Sequence, residues 1–204
     1  MFKTKITALA FPALLLGSTA YAAPPAPDEG HISFKMVVSK AASTCLPNAE
    51  AKVQIISDGK AEDMFLVASG LPPNTGFDFF VIQVPNAPFG LSWYQGDVQS
   101  DADGDAVQHF RGRFSIETFI VAPGVASAPL VFNDPPFPDA AKNPATNPVQ
   151  TYHLGMWFNS PADAQAAGCP NTVTPFNGEH NAGIQVLNTS TYRDDHGPLR
   201  NLRP

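Results

Sequence analysis

The chain has 204 residues, with 12 Lys and Arg against 18 Asp and Glu and a formal net charge of −6. This acidic, weakly charged balance lacks the basic footprint of nucleic-acid binders and the polybasic patch that holds a protein on anionic lipid. The length suits one domain with a sizeable core.

Met1 to Ala22 reads MFKTKITALAFPALLLGSTAYA. Lys3 and Lys5 give a positive start, Ala8 to Leu16 is apolar apart from Pro12, and Ala20-Tyr21-Ala22 is a small-x-small cleavage site. This predicts a secretory signal peptide over 1–22, with an apolar run too short to span a bilayer. Its removal takes away Lys3 and Lys5. Ten basic groups then face eighteen acidic ones, a net charge of −8. The form suits bacterial export, with a eukaryotic signal as the alternative. No later apolar run is long enough to anchor the mature chain. Export also changes how Cys45 and Cys169 are read: an isolated pair in an oxidising compartment usually bonds to itself. Such a bridge would close a ring of more than a hundred residues, worth ~4–5 kcal/mol in a chain-entropy account. Free thiols or a redox pair are the alternatives, without a CxxC motif to favour them.

Residues 23–30 (APPAPDEG) form a Pro-rich leader. His31 to Ser39 then alternates, with Ile32, Phe34, Met36 and Val38 on one face, which predicts a half-buried strand. Ala51 to Ser57 and Lys60 to Ser69 flank Asp58-Gly59 and predict a hairpin. In the next strand Phe77, Phe79 and Val81 share one face and Phe80, Ile82 and Val84 the other, so a central strand covered on both sides is expected. Leu91 to Ser100 and Ala106 to Val121 flank Asp101 to Asp105 and read as a second hairpin.

Ala122 to Gln150 holds seven prolines. Proline fixes φ and donates no hydrogen bond, so this is a long loop with at most a short strand at Leu130–Phe132. Strand signal resumes over Thr151 to Phe158. Pro161 to Ala167 is the one helical stretch, with Ser160 as N-cap and Gly168 as stop. Gly183 to Thr191 is a last strand, and residues 192–204 read as a polar surface tail. The pattern predicts an all-β, Ig-like or fibronectin-like antiparallel β-sandwich of about eight or nine strands over 31–191, with one short helix and a long Pro-rich loop.

Leu71-Pro72-Pro73-Asn74-Thr75-Gly76-Phe77 resembles the Leu-x-Pro-x-Thr-x-Tyr turn that leads into a strand in fibronectin type III domains. The resemblance covers seven residues and implies a sandwich corner, nothing about activity. Phe77 stands where that family has tyrosine, so the corner hydroxyl bond cannot form.

Chemistry-bearing motifs are sparse. Asp101-Ala-Asp103-Gly-Asp105 places oxygen ligands at alternate positions, as calcium loops do. Its sixth position is Ala106 and its twelfth Gly112, so a solvated turn is the reading and a loose calcium site the alternative. Otherwise no cofactor is expected. His31, His109, His153, His180 and His196 show no metal spacing. His180 and His196 bracket the last strand and could meet Asp194 or Asp195. No G-x-S-x-G elbow, P-loop or dinucleotide fingerprint occurs. Asp97, Glu117 and Glu179 are scattered carboxylates, and Asn188-Thr-Ser190 is a sequon only in a eukaryotic pathway. Trp93 and Tyr94 lie beside Asp97, and Trp157 beside Phe158 and Asn159. Adjacent strand residues face opposite ways, so one of Trp93 and Tyr94 is expected outside the core.

These features lead to the expectation of a secreted, non-catalytic protein that binds an extracellular protein or cell-surface partner, with Trp93, Tyr94, Asp97 and Trp157 as candidate ligand contacts. A carbohydrate-binding module using exposed aromatics is the second reading. A metal-dependent hydrolase drawing on His153, His180 and His196 is the third.

Overall fold

The structure is a computed structural model and describes residues 30–121, 148–175 and 180–203. The signal segment, nearly all of the leader, most of the Pro-rich loop with Leu130–Phe132, and Glu179 lie outside the described residues.

Eight strands form one antiparallel sheet: β1 (His31–Val38), β2 (Glu50–Ser57), β3 (Glu62–Ser69), β4 (Gly76–Ile82), β5 (Ser92–Gln99), β6 (Ala106–Gly112), β9 (His153–Phe158) and β10 (Gln185–Asn188). Their order is β5-β4-β9-β10-β1-β2-β3-β6. A separate pair is formed by β7 (Phe119–Val121) and β8 (Pro148–Gln150). The described residues are thus nearly all β and antiparallel, with one short α-helix among them, α1 (Pro161–Ala166), as the alternation predicts.

The sheet curls about its larger buried cluster. Met36 of β1, Val53 of β2, Leu66 of β3, Phe79 of β4 and Met156 of β9 are fully buried in it. Period-two alternation aims these side chains inward from both halves of the sheet. β4 is the covered central strand the sequence predicts, buried on both faces between β5 and β9.

The second predicted hairpin is corrected. β5 pairs with β4 and β6 with β3, so β5 and β6 flank the same turn without forming a ladder. They still lie side by side. At Gly96 (φ 151) a side chain would press on the Phe110 ring, and Phe110 stacks on Phe79 with centroids 5.2 Å apart. Aromatic stacking therefore closes the sheet where hydrogen bonds do not.

The run Ala106 to Val121 is also broken. The strand ends at Gly112 because the buried Glu62 carboxylate accepts the Phe114 N–H at 2.7 Å, while Thr118 Oγ1 donates to the Arg113 carbonyl. The Phe114 side chain turns fully into the core. The tail departs from expectation as well. A 3-10 turn over Pro198–Asn201 places Leu199 and Leu202 wholly inside, since these two apolar residues find core space beside Tyr152.

Local chemistry sets the remaining turns as read. Asp58 Oδ1 accepts from the Lys60 and Ala61 N–H groups, and Gly59 takes φ 79. Ser160 caps α1 by accepting the Asp163 N–H. Cys45 and Cys169 form the expected disulfide, joining the turn after β1 to the end of α1 across 124 residues. The Leu71–Thr75 and Asp101–Asp105 turns clasp each other: Asn74 N–H donates to the Asp101 carbonyl and Leu71 N–H to the Gly104 carbonyl. Phe77 packs on Phe158 in place of the tyrosine corner.

Candidate functional site

The outer face of β9, β4 and β5 carries the candidate site. Cross-strand register sets Trp157 beside Asp78 and Asp78 beside Asp97 in one row, with Phe80 beside Tyr94 in the next. The register shift at Phe79/Phe80 absorbs Gln95 and keeps Tyr94 and Asp97 on the same face. Gly155 separates Phe80 from β10, and any side chain there would collide with the Trp157 indole. Glycine thus lets the indole lie across β9 to meet Phe80 edge-on at 5.2 Å.

Two segments build walls on this floor. Loop 83–91 is tied back by Gln185 Nε2 and Asn188 Nδ2, which both donate to the Pro85 carbonyl at 3.1 Å. It sets Phe89 edge-on to Trp157 at 4.9 Å. Across from it, Thr174 and Ala182 pair through their backbones. Between them lies a groove of about 890 Å³, lined chiefly by Phe80, Phe89, Tyr94, Trp157, Pro175 and Ala182.

Of the predicted contacts, Trp93, Tyr94 and Trp157 all border this groove, with Tyr94 exposed, Trp93 half-buried and Trp157 only 4% exposed. Asp97 stands on the same face and accepts the Tyr94 hydroxyl at 2.5 Å. Trp93 turns to the opposite face and packs half-buried on the core, its indole N–H donating to Gln95 Oε1 at 3.2 Å. The alternation rule separates the Trp-Tyr pair as expected.

Sequence reasoning missed Asp78, a fully buried carboxylate in the middle of an aromatic strand. Its polarity within FDFFVI is the signal that could have found it. Its Oδ2 lies 3.2 Å from His180 Nε2. Among the described residues nothing hydrogen-bonds Asp78 Oδ1 or the Trp157 indole N–H. Burial raises the Asp78 carboxyl above its ordinary range, opposed by His180 and reinforced by the charge of Asp97.

The other histidines do not join this site. His153 is buried, bonded to Thr189 Oγ1 at 2.9 Å and to the Arg193 and Asp194 carbonyls, and desolvation lowers its pKa. His196 meets Asp195 at 2.9 Å on the surface, as weighed from the sequence, whereas His180 meets Asp78 instead. His109 stacks on Phe65 and contacts Asp63 across the molecule's other half. In the aspartate turn, Asp101 Oδ1 accepts from the Asp103 and Asp105 N–H groups at 2.9 Å, the geometry of an Asx turn. Among the described residues no three His, Cys, Asp or Glu side chains gather as a metal set.

No protein-family model matches the chain. No curated protein matches its sequence either. The disulfide fits an extracellular or otherwise oxidising compartment. Among the described residues no helix is long and apolar enough to cross a membrane.

Proposed function

We propose that this is a secreted, non-catalytic binding protein that takes an apolar, ring-bearing side chain of an extracellular protein into the aromatic groove. One observation carries the reading: five aromatic residues, Phe80, Phe89, Trp93, Tyr94 and Trp157, line a single concavity on the outer side of the sheet. Binding energy concentrates where an aromatic anchor enters such a desolvated pocket. The groove's size also lies within the range for preformed ligand sites, about 300–1,000 Å³. Met1 to Ala22 and the disulfide support export. The carbohydrate reading has less support at this groove, because Trp157 and Phe80 are buried and of the three sequence-predicted aromatics here, Trp93, Tyr94 and Trp157, only Tyr94 is exposed.

Anilinonaphthalene sulfonate serves as an apolar ring probe. Saturable, single-site fluorescence enhancement is expected for the oxidised protein. Ala182→Trp should abolish it by filling the groove, while Lys35→Trp on the far face should leave it intact. Enhancement that survives Ala182→Trp, or that never saturates, overturns the reading.

A further inference from the structure

A second concavity opens along β5 and shares one lining residue, Trp93, with the groove. Between β5 and the segment that follows β6 lies a cleft of about 420 Å³. It is lined by Trp93, Gln95, Arg113, Glu117, Thr118 and Phe119. We propose that this seam cleft binds a neutral sugar ring.

The lining chemistry selects that class. Trp93 is half-buried and anchored on the core side, so its indole is held in place before any ligand arrives. Gln95 Oε1 already accepts the indole N–H at 3.2 Å, which leaves the Gln95 amide NH2 to donate. Arg113 brings several further donors. Among the described residues it pairs with the buried Glu62, 3.3 Å from Nη1, and the side chain stays half-exposed. Glu117, exposed at the rim, can only accept when ionised. Thr118 Oγ1 is committed to the Arg113 carbonyl and helps fix the turn rather than the ligand.

Charge decides against an ionic ligand. The Arg113 guanidinium is answered from inside by Glu62 and flanked by Glu117, so an anion would meet a carboxylate and a cation would meet the guanidinium. A ligand that suits all three groups carries no charge and bears neighbouring groups that both donate and accept. It also presents an apolar face to an indole. A pyranose meets each requirement: its hydroxyls donate to Glu117 and accept from Arg113 and Gln95, and its C–H face rests on the electron-rich ring face. The cleft sits at the small end of the range for small-molecule sites, about 300–1,000 Å³, as a ring or two of sugar would need.

Affinity electrophoresis in native gels containing soluble xylan, mannan, mixed-linkage β-glucan or glycol chitin tests the proposal on the oxidised mature chain. Retardation is expected in at least one gel. Trp93→Ala should abolish it, and Glu117→Gln, an exposed change that spares the fold, should weaken binding about three- to tenfold. Tyr94→Ala, which alters only the groove, should migrate like wild type. If Trp93→Ala does not fold, the Glu117→Gln shift decides alone. Free migration in all four gels overturns the proposal. So does retardation that is lost with Tyr94→Ala and kept with Glu117→Gln. Free migration leaves the dye binding at the groove untouched, whereas loss with Tyr94→Ala alone would move sugar binding from the seam to the groove.

Discussion

The two outer faces of the sheet come from the same alternating pattern and end in opposite states. On β1, β2, β3 and β6, outward positions include Lys35, Glu50 and Arg111, open to water. Lys35 pairs with Glu50 at 3.1 Å and Arg111 with Asp58 and Asp63. Apolar outward residues on that half, such as Val67 and Val107, stay exposed. On β4, β9 and β10 the outward positions are Phe80, Ile82, Trp157 and Gln185, and two chain segments cover them. The difference shows where the chain has invested structure beyond the fold. A sheet needs one buried face to be stable, and the covered second face is surplus to that need.

The sharpest way to break this contrast is Trp157→Ala. The indole is buried between Phe80 and Phe89, so its loss should cost about 3–5 kcal/mol in urea denaturation. A loss below about 1 kcal/mol would place the covered face on a par with the bare one.

A smaller effect belongs to Asp78. Its raised carboxyl pKa means the folded state holds that proton more tightly than the unfolded chain. The associated stability is fully present below the unfolded value, 3.8, and is lost as pH rises through the raised folded value. Asp78→Asn cannot ionise, so its melting temperature relative to wild type should climb from pH 4 to pH 7. An unchanging or falling difference would show that His180 fully offsets the burial.

The smallest effect is expected on the bare face. Lys35→Ala removes an exposed pair and should change stability by no more than about 0.5 kcal/mol. A larger loss in thermal melts would mean that the open face contributes to the fold as the covered one does.

What the sequence reveals divides along the same line. β1 to β4 follow from alternation and from the Asp58-Gly59 turn, and α1 follows from Ser160 and Pro161, because each signal lies within a few residues. The disulfide follows from cysteine count and compartment. The opposed directions of Trp93 and Tyr94 follow from strand geometry alone. The groove does not, because its parts come from distant places: His180 meets Asp78 over 102 residues and Asn188 holds Pro85 over 103. Nor does the seam, since β5 and β6 read locally as a hairpin. Their partners, β4 and β3, are chosen by the whole sheet. Leu199 and Leu202 look like surface residues in a polar tail until the core space beside Tyr152 is known.

The stack of Phe110 on Phe79 has a bearing on self-association. An open sheet offers its end strands as templates on which another chain can lay a strand and begin to aggregate. Here the two end strands lie against each other, each shielding the edge the other would present. An intruding strand would have to pull Phe110 away from Gly96 and Phe79 before reaching either one. The ring that completes the core also keeps the sheet from growing.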